Sequence, residues 1–331
     1  MEKFNAVIVG CGAIAPIHAE AIKQSEYAEL YGVCDIDESK LNEYNVKKFT
    51  SFDEVLRDTD VDAIHICTPH YLHPDMIVKG INSGKSLVVE KPIAITIDAL
   101  SRLDTLCREP NCKILTVLQN RYNSCIVKMK EIVSGFDLGR LLGLKGNVCW
   151  LRDANYYQTS DWRGKWETEG GGLVINQAIH MLDMLNYLGG GAVAIKGSID
   201  TRALNDAIEV EDTAEATLYF PGNVRGHFFA TNAYSCNEPF EITLTFESGI
   251  VRYMDGKLFD ENFNVITVDQ SSDGGKSYWG DSHKVVIDNF YSSLAGNAKP
   301  YPTIFDGIRA TELALGLYES AKINDKYEIK F

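Results

Sequence analysis

In EGGGLVINQAIHMLDML, residues 169 to 185, an amide, an imidazole and a carboxylate recur at helical spacing. Asn176, His180 and Asp183 stand four and three residues apart, which sets them on one stripe of a helix. The rest of the segment is apolar on nearly every side, so the stripe lies in surroundings where an unpartnered polar group costs a few kcal/mol. A polyhydroxylated substrate would supply partners and make the stripe a pocket wall. The imidazole, with an ordinary pKa of about 6.5, suits removal of a hydroxyl proton. Asp183 either fixes the tautomer of that imidazole or is a solvated helix charge. The glycines at 170–172 would let a ligand approach the backbone where helix N–H groups are exposed.

A second group of residues suits a dinucleotide. GCGAIA, residues 10 to 15, follows an apolar run and opens a helical pattern. Gly10 would make the tight turn, Gly12 would admit a pyrophosphate and Ala15 would let helix pack on strand, with Ala13 and Ile14 in the same phosphate-facing turn. Asp35 ends the next apolar run, where a carboxylate accepts from adenosine ribose hydroxyls, and Ile36 rather than a cation follows it. That pairing favours NAD over NADP, because a 2′-phosphate would meet an uncompensated negative charge. Thr68 and Pro69 end a third run and Glu90-Lys91-Pro92 a fourth, all at the edge where ligands sit in such sheets. Glu90 and Lys91 either pair with loop neighbours or face the cofactor. His70 and His73 form an HxxH without accompanying acids or cysteines, which reads as a helix start or pocket lining and not as a metal site.

The elements that must position these groups change character along the chain. Through residue 118, β-branched runs (FNAVIVG, ELYGVCD, AIHICT, SLVVE, KILTVL) alternate with helical patterns from about Ala13, over Glu38 to Lys48, Pro74 to Asn82 and Ile97 to Cys107. This is the grammar of a doubly wound parallel sheet, a Rossmann domain over residues 1–120. Over 121–331 a helix (Tyr122 to Val133) and the glycine-led helix precede strands with hairpin turns between them: AIKGSIDTR, TAEATLYF, RGHFFATNAY, EITLTF, IVRYM and KLFDE. An open, mostly antiparallel sheet is expected there. In TAEATLYF, Glu215, Thr217 and Tyr219 alternate with Ala216, Leu218 and Phe220, so one face packs on helices. The other face is solvated or docks on a second copy, as homodimer or homotetramer. Amphipathic segments Asp281 to Ala295 and Asp306 to Ala321 close the chain.

Composition narrows the function classes. At 331 residues, 45% of them hydrophobic, the chain can bury two cores. Its 32 basic against 46 acidic residues, net charge -14, point away from nucleic acid and from anionic membranes as partners. No apolar run reaches the roughly 18 residues of a spanning helix. FNAVIVGCGAIA reads as a strand and glycine turn and not as a leader, since Glu2 cancels Lys3 ahead of it. Eight scattered cysteines (11, 34, 67, 107, 112, 125, 149, 236) without a CxxC pair suit reduced thiols and a cytoplasmic location.

Six motifs occur in order: GxGxIAxxHxxA (Gly10 to Ala21), CTPxxxH (Cys67 to His73), GK (Gly84, Lys85) ahead of EKP, QNR (Gln119 to Arg121), WRGxW (Trp162 to Trp166) and GGGxxxNQxIHxxD (Gly170 to Asp183). Together they resemble the Gfo/Idh/MocA oxidoreductases, the glucose-fructose oxidoreductase and inositol dehydrogenase group, over nearly the whole chain. The resemblance implies a Rossmann domain and an α/β domain with an open sheet. It also implies hydride transfer between NAD(P) and a hydroxyl of a sugar, cyclitol or nucleotide sugar. Carried over by position, Lys91 contacts substrate and cofactor, His180 accepts the proton, and Gln119, His73 and Glu90 join the cofactor set. Many members place an aspartate where Asn176 stands. A neutral amide can only donate and accept hydrogen bonds, so Asn176 is expected to orient a substrate hydroxyl. That departure argues against inositol as substrate, and nucleotide-sugar dehydrogenases of this kind also carry asparagine there. Tyr157, Trp162 and Arg163, ahead of the glycines, either face sugar and anionic groups or form a packed aromatic–guanidinium cluster. Two other readings accompany this resemblance: a glycosidase that recycles its NAD internally, and a non-catalytic NAD-binding sensor.

Overall fold

The computed structural model describes residues 3–108, 113–269 and 282–331. The chain divides into two compact units, one formed by Met1–Gln119 with Ser282–Ile308 and the other by Asn120–Asp281 with Arg309–Phe331.

The first unit is built on a six-stranded sheet of β1 (Phe4–Val9), β2 (Ala28–Cys34), β3 (Lys47–Phe49), β4 (Ala63–Ile66), β5 (Ser86–Val89) and β6 (Ile114–Thr116). Its order is β3-β2-β1-β4-β5-β6 and every pairing is parallel, the doubly wound arrangement expected of a dinucleotide-binding domain. Ala6, Val7, Ile8, Ile64, Ile66, Leu87, Val88 and Val89 are fully buried, as strands covered on both faces must be. The helix expected over Glu38 to Lys48 is shorter than its pattern suggested. It covers Glu38–Leu41, capped by Asp37, and Lys47 and Lys48 instead enter β3 beside β2. Ser282–Ile308, left in the second domain by a division at residue 120, clusters with this unit. The physical reason lies in helix His283–Leu294: Asp288 accepts from Ser25 at 2.6 Å, and Tyr291 is buried with its hydroxyl 2.7 Å from His65 Nε2.

The second unit carries a nine-stranded sheet of β7 (Leu141–Cys149), β8 (Ala194–Asp200), β9 (Thr213–Tyr219), β10 (Arg225–Thr231), β11 (Glu241–Phe246), β12 (Gly249–Met254), β13 (Lys257–Phe259), β14 (Val265–Val268) and β15 (Tyr327–Glu328). The order is β14-β13-β12-β11-β7-β10-β9-β8-β15, antiparallel throughout except where β7 meets β10. β7, the central strand, is absent from the sequence-based expectation because two glycines and a lysine dilute its β signal. One of them has a packing reason: a side chain at Gly146 would collide with the sulfur of Met181, so helix Ile179–Gly189 lies directly on the strand there. On β9, Ala214, Ala216 and Leu218 are buried while Glu215 is exposed, the alternation read from the sequence.

The helix expected to run on from the three glycines is two helices, Leu173–Asn176 and Ile179–Gly189. Gln177 and Ala178 join them, with both backbone amides bonded to the Leu173 carbonyl. Gln177 is held outside either helix by side-chain bonds to the Tyr156 hydroxyl at 3.0 Å and from Asn232 at 3.4 Å.

Candidate functional site

In the first unit the glycine turn follows β1. Gly10 has φ +95°, and a Cβ there would lie 2.6 Å from the Cys67 carbonyl oxygen, so the turn runs against the end of β4 and tolerates only glycine. Gly12 meets nothing within 4 Å. Helix Ala15–Gln24 begins without a side-chain cap; Pro16 at its second position has no N–H, and the Ala15 and Ile17 amides bond back to the Gly12 and Ile14 carbonyls. Asp35 braces this loop: its Oδ2 accepts from Cys11 N at 2.8 Å and its Oδ1 from Asp37 N at 2.9 Å. A carboxylate retains lone pairs for ribose hydroxyls beyond these two bonds. Ile36 is 93% exposed, an apolar surface where a phosphate-binding cation would otherwise stand. The open approach at Gly12 and the Asp35 carboxylate at the end of β2 fit a dinucleotide, and Lys40 Nζ lies 3.8 Å from Asp35 Oδ1.

Thr68 and Pro69 follow β4 half-buried, and Gln119 is buried at the start of the 3-10 turn Gln119–Tyr122. His73 has a different place from a cofactor ligand. It is fully buried at the start of helix His73–Asn82, its ring nitrogens 2.7 Å from the Pro92 carbonyl and 2.8 Å from that of Thr68. It thus pins the loop after β4 to the loop after β5. Burial lowers its pKa despite those carbonyls.

Glu90 and Lys91 emerge from β5. Glu90 is buried, and its Oε1 lies 3.0 Å from His18 Nε2. Behind it runs a chain of buried contacts: His18 Nδ1 to His65 Nδ1 at 2.7 Å, and His65 Nε2 to the Tyr291 hydroxyl at 2.7 Å. Burial by itself raises the Glu90 pKa. The hydrogen bond and charge of His18, with His283 and Lys91, more than offset it and hold the carboxyl down at about 2. Lys91 therefore stands beside a permanent anion. Burial keeps His65 and His283 low, the latter at about 4. The sequence reading included Glu90 but neither His18 nor His65 as its support; an apolar-side histidine in the first helix was the available sign.

In the second unit the exposure pattern of the glycine-led segment is selective. From Glu169 to Asn186 every residue is buried except Asn176 and His180. Asp183, the third polar residue of the stripe, is 1% exposed and neither a surface charge nor set by solvent. Its Oδ2 accepts from Arg121 Nε at 2.9 Å and its Oδ1 from a terminal nitrogen of Arg121 at 2.6 Å, a bidentate buried ion pair. The Arg121 guanidinium also stacks over the Tyr187 ring at 4.9 Å. Arg121 appeared in the sequence only as part of a motif, and no local pattern linked it to a residue sixty-two positions on.

The glycines serve packing before any ligand. A side chain at Gly171 would strike the Tyr318 hydroxyl, and one at Gly172 the Glu211 carbonyl. Glu211 accepts from Gly172 N and Val174 N, both at 2.8 Å, and from the Tyr318 hydroxyl at 2.9 Å. Glu169 accepts from Gly164 N at 2.6 Å and from Asn176 Nδ2 at 2.5 Å. Burial raises both carboxyls to about 7, only partly offset by these donors. Sequence reasoning missed Glu169, Glu211 and Tyr318, since acids are ordinarily exposed and nothing local marked these two as buried.

Of the aromatic loop, Tyr157 belongs to the core: it is 4% exposed and packs with Leu204, Ile208 and Val210, its hydroxyl accepting from Asn232 at 3.1 Å. That placement removes it from the substrate-facing set. Trp162 and Arg163 are half-buried, the guanidinium stacked 4.8 Å from the Trp162 ring and 5.0 Å from that of Tyr156, with a 3.0 Å bond to Ser160.

Residues 4–118 match the model of the Gfo/Idh/MocA oxidoreductase family, NAD-binding Rossmann fold, and residues 126–252 match the Gfo/Idh/MocA C-terminal domain. Among solved structures, the WlbA dehydrogenase from Bordetella pertussis in complex with NADH and UDP-GlcNAcA is 28% identical, with a TM-score of 0.89 over 100% of this chain and 99% of that one. Myo-inositol 2-dehydrogenase of Thermotoga maritima is 24% identical, covering 98% of this chain and 97% of its own. Glucose-6-phosphate 3-dehydrogenase of Bacillus subtilis is 25% identical, covering 94% and 95%. The uncapped glycine turn, the Glu90–Lys91 pair after β5 and the selectively exposed Asn176 and His180 stand in a chain matched over both of its units, and this protein belongs to the Gfo/Idh/MocA family of NAD-binding oxidoreductases.

Proposed function

We propose that this chain interconverts a secondary alcohol and a ketone on a nucleotide sugar, with NAD as redox partner. The observation that carries the reading is the exposure pattern of residues 169–186, in which Asn176 and His180 alone escape burial. Full-length similarity to a dehydrogenase solved with NADH and UDP-GlcNAcA supports the substrate class, as does the neutral amide at 176. When bound, NAD supplies the hydride acceptor. His180 takes the hydroxyl proton on its imidazole as the substrate C–H and O–H bonds break and the carbonyl forms. Lys91 steadies the oxygen as it gains negative character, and Asn176 orients the hydroxyl. Proton transfer of this kind contributes roughly a hundred- to ten-thousand-fold.

The test is turnover of UDP-GlcNAcA with NAD+ by the wild type, Lys91→Ala and His180→Ala, followed by NADH absorbance. A loss of kcat/KM of about that size is expected in each variant, with NADH affinity retained; undiminished turnover in both refutes the roles. A panel of other nucleotide sugars, free sugars, cyclitols and uronates identifies the substrate. Comparable affinities for NAD+ and NADP+ would remove Asp35 from its role in cofactor choice.

We also infer a homodimer or homotetramer built through the open face of the second sheet. Glu215, Thr217, Tyr219, Arg225, His227 and Phe229 share that face of β9 and β10, opposite the helix-covered side. Light scattering on the eluting protein checks this, and a monomer at micromolar concentration contradicts it.

A further inference from the structure

Glu169 is a fully buried carboxyl bonded to two functional segments of the second unit. One oxygen holds the backbone of Gly164, inside the turn that carries Trp162 and Arg163; the other holds the side-chain amide of Asn176. An asparagine side chain has a donor end and an acceptor end. With Nδ2 turned to an ionised Glu169, Oδ1 is oriented as an acceptor, the group to which a sugar hydroxyl donates. A protonated Glu169 donates instead, its O–H pairs with Oδ1, and the amide is turned about so that Nδ2 takes the outward place. An aspartate at 176 has no such option, for it would set two carboxylates against each other.

We propose that Glu169 is the positioning residue for Asn176, its protonation state selecting which end of that amide meets the substrate hydroxyl. The proposal rests on the reading of Asn176 as a substrate-facing residue. The groups around Glu169 place the change near neutrality. Burial raises its carboxyl to about 7, the Gly164 amide, Asn176 and the Arg163 guanidinium act in the opposite sense, and Glu211 adds to the rise. Tyr157 and Tyr318 complete the titratable surroundings, and burial holds both as neutral phenols with pKa values pushed up. Hydroxyl recognition therefore changes character between mildly acidic and mildly alkaline solution, through a residue that need not touch the substrate.

The coupling is testable in the full chain without any substrate. In 15N-labelled protein, the Asn176 side-chain amide signal is identified by its loss in Asn176→Asp and followed from about pH 5.5 to about pH 8.5. A shift with a midpoint near 7, absent in Glu169→Gln, is expected. A signal indifferent to pH, or one titrating identically in Glu169→Gln, overturns the proposal.

Should Glu169→Gln fail to fold, the melting temperature of Asn176→Asp decides. Its deficit against wild type grows with pH if the two carboxylates face each other, and a constant deficit overturns the pairing. The double variant E169Q/N176D, one carboxylate with one amide again, closes that deficit. In kinetics with UDP-GlcNAcA and NAD+, Glu169→Gln raises KM more than it lowers kcat and flattens the pH profile of kcat/KM, a loss on the order of a hundredfold at most. NADH affinity stays unchanged. A purely structural role would leave the profile's shape intact. Absence of wild-type turnover together with an intact amide titration counts against the dehydrogenase reading, while the Glu169–Asn176 coupling stands on the titration.

Discussion

Glu90 in the first unit and Glu169 in the second are both buried carboxyls next to a residue of the proposed chemistry, yet they are pushed in opposite directions. Glu90, against the His18 imidazole with Lys91 and His283 nearby, is held at about 2. Glu169 is raised to about 7 by burial, with the Gly164 and Asn176 amides and the Arg163 guanidinium offsetting it only in part and Glu211 adding to the rise. Burial alone raises both, so the partners decide the outcome. The difference suits the two places: Lys91 stands beside a fixed anion, whereas beside Asn176 a carboxyl that exchanges its proton near neutrality can choose between two hydrogen-bond patterns. A third carboxyl, Asp183, shows the limit in which a guanidinium satisfies both oxygens and removes the group from solvent chemistry.

Removing that third carboxyl gives the largest effect. Asp183→Leu leaves Arg121 buried without its bidentate partner, and loss of one member of such a pair costs roughly 3–5 kcal/mol. Denaturant titration should show it, with Arg121→Met in the same background recovering much of the loss. Full stability in Asp183→Leu alone would contradict the buried pair.

Glu90→Gln comes next. A carboxyl held at about 2 against an ordinary 4.5 contributes roughly 3 kcal/mol of stability. That contribution is present above pH 4.5 and lost as pH falls through about 2. The variant should be less stable at neutral pH and lack that part of the acid-side decline, as measured by unfolding at a series of pH values. An acid limb identical to wild type would show that Glu90 is not held ionised.

An effect of opposite sign with pH belongs to the raised pair. Glu169 and Glu211 favour the folded state most below their ordinary 4.5, and that contribution is lost as pH rises through about 7. Glu169→Gln removes one of the two proton releases and should leave about half the decline in melting temperature between mildly acidic and mildly alkaline buffer. An undiminished decline would assign the whole effect elsewhere.

Much of the frame was legible in the residues themselves. The glycine turn, Asp35 twenty-five residues after Gly10, and the alternating runs that build β1, β2, β4, β5 and β6 are local patterns, because turn geometry and side-chain periodicity are set by near neighbours in the chain. The same holds for Lys91 just past the end of β5, whereas the single helical stripe read through Asn176 and His180 is broken between two helices. β7 escaped notice in part because its Gly146 answers to a helix that packs on it, which no window of nine residues contains.

Partnerships across long separations were not legible. Asp183 reads as readily as a surface charge until Arg121 is found against it in the core, and Tyr157 reads as a sugar platform until Leu204, Ile208 and Val210 close around it. The glycines at 171 and 172 suggest an approaching ligand, and Tyr318 and Glu211 are what fill that space. Residue types and their spacing thus determined the class of fold, the cofactor and which side chains were chemically capable. Only the tertiary structure decided which of them are accessible and in what protonation state, because burial and charge partners come from segments far apart in the chain.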